Sequence, residues 1–384
     1  MVFNHLSEMV TKAFQCSILR RPPCMAQWFA IVNPCPLPLK KFISSFIIAT
    51  LLTGCAQLQK IKNTGKSGTS PKFQEAAANP SFVPDGYYET LPALGEKGYL
   101  LQPLAPDAYF FSTGTYNTMF ITTPKGVVVI DPIRGKGPLL KKAIQEVTDE
   151  APKFMIYSHA HLDHIGDAHL FAKDVQIIAH LETRELLERY KDPHRPIPQI
   201  SFGKKYSLSL GGTKIDLIYS GEGHGKGNIM IHLPRKKILM FVDVATPRAV
   251  PLINFATIDI YSQIKGIEQA LNLDFDVYVA GHLHRPGTRK EMLEVLKYYL
   301  ASKRANKAAL KKISFSDVKA RSRTKDPERL LGEYYQAVAE ECYRILKKKW
   351  KPRLMGFEAF ARGHCDVWTG FHRTQVAPLR GEEK

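Results

Sequence analysis

The run His159-Ala160-His161-Leu162-Asp163-His164 follows directly on the apolar stretch Phe154-Met155-Ile156-Tyr157, and it constrains this chain more than any other feature. In an extended segment residues i and i+2 project to the same side, so His159 and His161 reach a common point. A turn into a helix beginning near Ile165 then throws Asp163 and His164 toward a neighbouring point. Two adjacent cation sites follow. Imidazole and carboxylate donors in this mixture suit zinc, with iron and manganese as alternatives.

The surrounding pattern belongs to a large folded domain. With 384 residues, 44% of them apolar and 23% charged, the chain has the means to bury a sizeable core and is no disordered tail. Tyr109-Phe110-Phe111, Thr118-Met119-Phe120-Ile121, the turn Pro124-Lys125-Gly126 and Val127-Val128-Val129-Ile130 read as a β meander ending on Asp131. Strand-like runs at 175–179, 214–219, 228–233, 238–242 and 275–280 alternate with helical stretches at 137–148, 181–190 and 259–271. That alternation predicts a layered α/β domain of two sheets covered by helices.

From about residue 105 to 287 the chain resembles the metallo-β-lactamase superfamily, whose H-x-H-x-D-H motif is joined by three later ligands. The third histidine follows a glycine, as in Gly223-His224-Gly225-Lys226-Gly227-Asn228; a bridging aspartate closes a hairpin strand, as in Phe241-Val242-Asp243; the last histidine follows a buried strand, as in Gly281-His282. The resemblance implies a four-layer αββα sandwich holding two Zn2+ ions. One would take His159, His161 and His224, the other Asp163, His164 and His282, with Asp243 bridging. His284 is a rival for the last position, and Val242 stands where the family commonly has glycine. Asp131 matches an acid beneath the ligands, although a bare strand cap reads the same way.

The implied chemistry is hydrolysis by a metal-bridging hydroxide, with Asp163 orienting the nucleophile and relaying a proton. β-Lactam-cleaving members usually carry Cys or Ser where Asp243 stands, so an ester, lactone or thioester of a small molecule is the leading substrate. A β-lactam hydrolase, a mononuclear iron oxygenase and a non-catalytic metal-binding lipoprotein are the alternatives. Pro247, Val250, Pro251, Leu252 and Phe255 after Asp243 suit a substrate with an apolar portion, or plain packing. His169, His180, His194 and His232 carry no distinguishing spacing, and Gly363-His364-Cys365-Asp366 has no partner run for a further metal site.

The charge is uneven. Residues 285–384 hold 24 Lys and Arg against 12 Asp and Glu, a surplus of 12 within a net charge of +18. Helical periodicity over 288–312 and 327–349, the latter capped by Asp326-Pro327, makes 288–384 a basic helical C-terminal extension. Its outer faces are either simply solvated or touch anionic lipid or anionic substrate; without aromatic and basic interleaving, nucleic acid is not expected as a partner.

Phe42 to Leu52 is an apolar run too short to span a bilayer, preceded by Lys40 and Lys41, and reads as a secretory signal. Leu52-Thr53-Gly54-Cys55 resembles a bacterial lipobox. That implies cleavage before Cys55, a lipid on its sulfur, and a periplasmic protein anchored at a membrane, the outer one where Ala56 follows. Residues 1–38 fit no part of such a signal, and translation from Leu39 would give a short Lys-Lys start. The organisation expected is thus leader and signal over 1–54, tether over 55–84, catalytic domain over 85–287 and the extension beyond. Cys342 and Cys365 are then left to pair in an oxidising compartment, though no spacing rule enforces it.

Overall fold

Val127, Val128, Val129 and Ile130 are all fully buried, which an extended strand achieves only when both of its faces are covered. The computed structural model describes residues 94–283 and 285–374 and shows what covers them. The leader, the whole tether including Cys55, residues 85–93 and His284 lie outside the described residues.

The strand is β4 (Gly126–Ile130) of a seven-stranded sheet. Its neighbours run in sequence order: β1 (Leu100–Ala105), β2 (Ala108–Ser112), β3 (Asn117–Thr123), β4, β5 (Pro152–Ile156), β6 (Gln176–His180) and β7 (Ile200–Phe202). The first four form the antiparallel meander, and β4 to β7 are parallel. The second sheet holds β8 (Lys205–Leu210), β9 (Thr213–Tyr219), β10 (Ile229–Leu233), β11 (Ile238–Phe241), β12 (Val277–Val279) and β13 (Gly287–Thr288). Only β11 and β12 pair in parallel there.

Side-chain alternation divides these strands among three apolar layers. Val128, Ile130 and Ile156 meet Ile229, Ile231, Met240 and Val279 between the sheets. Val127 and Val129 instead face Leu140, Ala143 and Ile144 of helix α1 (Gly137–Gln145). Met230, Leu239, Phe241 and Tyr278 point the other way, toward helices on the far side of the second sheet. The architecture is the expected αββα sandwich. Short helices α2 (Leu162–Ile165) and α3 (Leu181–Tyr190) and the longer α4 (Ile260–Ala270) fill the connections. β1, β7 and β8 were not legible as strands, since half-exposed edges such as Lys205–Leu210 bury little.

The outer helical layer is completed by α5 (Arg289–Lys312), α6 (Phe315–Arg321), α7 (Pro327–Trp350) and α8 (Phe357–Thr374). Thr288 and Glu291 form a reciprocal cap on α5, and the Asp326 carboxylate accepts from the Glu328 and Arg329 N–H groups to start α7. Tyr298, Tyr299, Trp350, Phe357 and Trp368 from these helices are buried in the same cluster as Met230 and Phe241 of the second sheet. The basic extension therefore packs by an apolar face. Gly363-His364-Cys365-Asp366 lies inside α8, with His364 and Cys365 buried. Among the described residues no helix is long and apolar enough to cross a membrane.

A disulfide joins Cys342 of α7 to Cys365 of α8 across 23 residues of sequence. A link closing a loop of that size stabilises a fold by about 3 kcal/mol, chiefly by restricting the unfolded chain. The doubly substituted Cys342→Ala, Cys365→Ala protein should unfold at correspondingly lower urea concentration. An unchanged midpoint would show that packing alone holds the two helices.

Candidate metal centre

Strand ends set the site. In the parallel pair β11 and β12, Met240 lies opposite Val279, so Asp243 and His282, each three residues further on, leave the second sheet side by side. In the first sheet Ile130 of β4 lies opposite Ile156 of β5, which brings Asp131 beside the start of the Ser158-His159 segment. Gly281 allows the closest approach: a Cβ there would stand 2.2 Å from Asp243 Oδ1 and 2.8 Å from the His164 ring.

His159 lies in a bend just beyond β5 and His161 is extended, and their ring centroids are 4.3 Å apart. The chain turns earlier than the sequence suggests: His161 is already the N-cap, and Asp163 and His164 sit within α2 rather than ahead of it. His224, from the turn between β9 and β10, places its ring 5.0 Å from His159 and 4.7 Å from His161. His164 and His282 are 5.2 Å apart. The potential ligand atoms of His159, His161, His224 and Asp243 lie within 4.8 Å of one another, as do those of Asp163, His164 and His282. Asp243 touches both groups. Its Oδ2 is 2.9 Å from His164 Nε2 and 3.3 Å from His224 Nε2, and its Oδ1 is 3.2 Å from His282 Nε2.

Backbone carbonyls decide which nitrogens face inward. Ala256 O accepts from His224 Nδ1 at 2.5 Å, and Thr115 O accepts from His282 Nδ1 at 3.1 Å. A carbonyl only accepts, so both Nδ1 atoms carry the proton and both Nε2 atoms present lone pairs. His159 Nδ1 meets Ser158 Oγ at 2.8 Å, and Asp131 Oδ1 accepts from the Ser158 N–H at 2.8 Å. Asp131 is thus an anchor for the His159 backbone. His159 Nε2 and Asp243 Oδ1 are buried with no hydrogen-bond partner.

Such a cluster of inward lone pairs and a buried carboxylate calls for positive charge. Burial and its histidine neighbours hold His159 well below the usual imidazole range, and burial and His224 bring His161 down to about 4. Burial also opposes charge on His164, but the Asp243 and Asp163 carboxylates overcome it and raise this imidazole to about 9. Asp243 stays ionised: burial works against its charge, and His164 outweighs that and holds it well below the carboxylate range. Burial pushes Asp131 up to about 6. A proton on His164 therefore supplies the positive charge in the bare protein, in the place where a divalent cation fits. The donors are nitrogen and oxygen throughout, a set that fits zinc, iron or manganese.

Tyr116 was not foreseen. Its ring lies 4.9 Å from His282 and 5.8 Å from His164, carried there by a turn that the Asn117 N–H ties to Gly281 O at 2.8 Å. Gly114-Thr115-Tyr116-Asn117 reads only as a turn in sequence, and nothing short of the cross-sheet pairing reveals it. The other histidines lie elsewhere. His169 pairs with His194 at the surface, His180 accepts from the Glu182 N–H at the start of α3, and His232 donates to Asp274 O.

Comparison with known proteins bears on the same stretch. Residues 112–282 match the family model of the metallo-beta-lactamase superfamily. The chain is 30% identical over 201 residues to the 2,4-dinitroanisole O-demethylase subunit alpha of Nocardioides sp. (strain JS1661), covering 51% of this chain and 61% of that one. It is 32% identical over 130 residues to a metallo-beta-lactamase type 2 of Bacillus sp. (strain 170), covering 32% of this chain and 48% of that one. The chain thus spans about half to three fifths of the length of these curated relatives. A solved metallo-beta-lactamase from Pontibacter korlensis superposes with a TM-score of 0.46 at 18% identity, covering 52% of this chain and 99% of that one. Since the matched stretch opens at the end of β2 and closes on His282, it contains every side chain of the cluster, and over residues 112–282 the chain is similar to the metallo-beta-lactamase superfamily.

Proposed function

We propose that this protein is a dinuclear zinc hydrolase that cleaves an ester, lactone or thioester bond in a small molecule with an apolar portion. The observation that carries the reading is the Asp243 carboxylate lying between two histidine groups and within 3.3 Å of a nitrogen in each. His159, His161 and His224 would hold one ion and Asp163, His164 and His282 the other. Bound there, the ions supply Lewis acidity, which polarises a carbonyl and makes a water acidic near neutral pH.

The chain's own groups divide the remaining work. Asp163 is the accessible carboxylate, its side chain 42% exposed at the rim. It orients the attacking water and accepts its proton as the water oxygen bonds to the acyl carbon, then returns that proton to the departing alkoxide or thiolate. The Tyr116 hydroxyl has no hydrogen-bond partner among the described residues. Burial, and then the nearby Asp163 and Asp243 carboxylates, raise its pKa, so it stays a neutral donor suited to charge developing on the substrate oxygen. Leu252, Ile253 and Ile258 are exposed beside the His224 turn and suit the apolar portion. The aspartate at 243 favours these substrates over a β-lactam. The name of the Nocardioides relative supports a second reading, cleavage of an activated aryl methyl ether. Export and a lipid anchor at Cys55 belong to the same proposal, supported by the disulfide, which is at home in an oxidising compartment.

Elemental analysis of the purified protein should find about two zinc ions per chain; one iron would point to an oxygenase, and no metal to a binding protein. Since His164 must lose its proton to become a ligand, and a metal-bound water would ionise near neutral pH, metal uptake at pH 7 should release more than one proton, and the release should fall by about one as the pH rises through about 9. Calorimetry in buffers of differing ionisation enthalpy measures this, and proton-free uptake at pH 7 would contradict the assignment.

On a panel of chromogenic ester, lactone, thioester and β-lactam substrates together with 2,4-dinitroanisole, Asp163→Asn should retain at least one metal yet lose about 10²–10⁴-fold in kcat. Tyr116→Phe should lose on the order of 10²-fold with full metal content. Unchanged turnover in either variant removes that residue from the mechanism.

A further inference from the structure

Three consecutive residues of the loop beside the metal centre hold left-handed backbone conformations without being glycine: Asn254 at φ 53°, Phe255 at φ 61° and Ala256 at φ 46°. Such a conformation is strained for a residue with a side chain and persists only where its surroundings over-determine it. The consequence is local and chemical, because the third residue supplies the carbonyl that accepts from His224 Nδ1. The orientation of a cluster histidine therefore depends on a strained turn.

Apart from Gln263 of α4, the surroundings that enforce the turn come from beyond the matched stretch, which ends at residue 282. The Phe255 ring stacks on His364 of α8 at 4.1 Å and on Tyr299 of α5 at 4.9 Å, with interplanar angles of 21° and 22°. His364 Nε2 donates to Leu252 O at 2.9 Å, while its Nδ1 accepts from the Tyr298 hydroxyl at 2.8 Å. Gln263 Nε2 donates to Phe255 O at 3.2 Å and lies 2.6 Å from the Tyr299 hydroxyl. Upstream, the Met355 N–H donates to Arg248 O and the Val250 N–H to Met355 O. The loop is thus gripped along its length by α4, α5, α8 and the segment before α8.

We infer that the C-terminal helical layer is a working part of the metal centre: through His364 and Phe255 it holds the 252–256 loop so that Ala256 O fixes the His224 imidazole with Nε2 facing the cluster. His364 is a positioning residue: it acts through Phe255, Ala256 O and the His224 imidazole rather than as a ligand itself. Loss of the contact lets the strained turn relax, frees the His224 ring to rotate, and weakens the group formed by His159, His161 and His224 ahead of the group formed by Asp163, His164 and His282. The inference rests on the reading of the cluster as a metal centre but not on which bond is cleaved.

The test is zinc affinity, measured by competition with a chromophoric chelator on the full chain, with cobalt absorption used to tell the two groups apart. His364→Phe keeps the stack and removes both hydrogen bonds, and it should weaken the His159 group about 10- to 100-fold, the range of losses when a partner of a ligating histidine is removed. His364→Gln restores a donor to Leu252 O and should recover most of that affinity. Phe255→Gly accepts the left-handed backbone without the anchor, so it should fold and lose affinity alike, and it carries the test if His364→Phe fails to fold. Leu346→Ala, a buried residue of α7 in the same layer, should lower the unfolding temperature and leave zinc affinity unchanged. Parental affinity in both Phe255→Gly and a folded His364→Phe would overturn the inference, as would equal affinity loss in Leu346→Ala. A parent protein that takes up no zinc would instead overturn the metal reading beneath it.

Discussion

A carboxylate buried among imidazole nitrogens is the constraint on which the rest of this structure turns. Asp243 is ionised, enclosed, and has one oxygen without a hydrogen bond. Removing an unpaired charge from water costs several kcal/mol even after the protein relaxes, so the fold must bring positive charge to it. It does so with protonated His164 when bare, and the inward lone pairs of His159, His224 and His282 leave room for cations to take over that role. The backbone is bent to suit, since Asp131 and Asp243 both sit at positive φ. The stability that tolerates such strain comes from two sheets whose strands are buried on both faces.

That two-sided burial explains the position of the site as well as its rigidity. Parallel pairing aligns β4 with β5 and β11 with β12, and in each pair the residues past the strand ends emerge at one edge of the sandwich. Asp243 and His282 are then placed by strand register, whereas His224, on the turn between β9 and β10, is oriented through the 252–256 loop. His161 and Asp163 are the members that remain accessible, which gives the cluster an open side facing solvent and leaves its other members locked.

What the sequence disclosed follows the range of the interactions concerned. The His159 to His164 run was legible because its geometry is local: alternation along an extended segment, then a turn. Asp243 and His282 were found as polar residues closing apolar strands, with the family resemblance to order them. Ala256 and Thr115 could not be found this way, because they act through backbone carbonyls and any residue type offers one. Tyr116 depends on a cross-sheet contact with no local signature. α8 has an apolar face of Phe357, Ala361, Cys365 and Trp368 at helical spacing, but Gly363, His364 and Asp366 interrupt it and mask the helical signal.

The basic extension shows how net charge misleads about packing. Its surplus of positive charge suggests an appendage reaching for an anionic partner, yet the surplus resides on side chains that surround the apolar face rather than form it. Several of these cations are engaged within the layer, as where Arg362 lies 3.6 Å over the Tyr343 ring while pairing with Glu340 at 2.7 Å. Beneath them, Cys365 is bonded to α7 and is the immediate neighbour of His364. The cross-link that sets α8 against α7 thereby sets the residue that grips the 252–256 loop. Covalent bond, buried imidazole, strained turn and cluster histidine form one continuous mechanical path from the far side of the molecule to its chemistry.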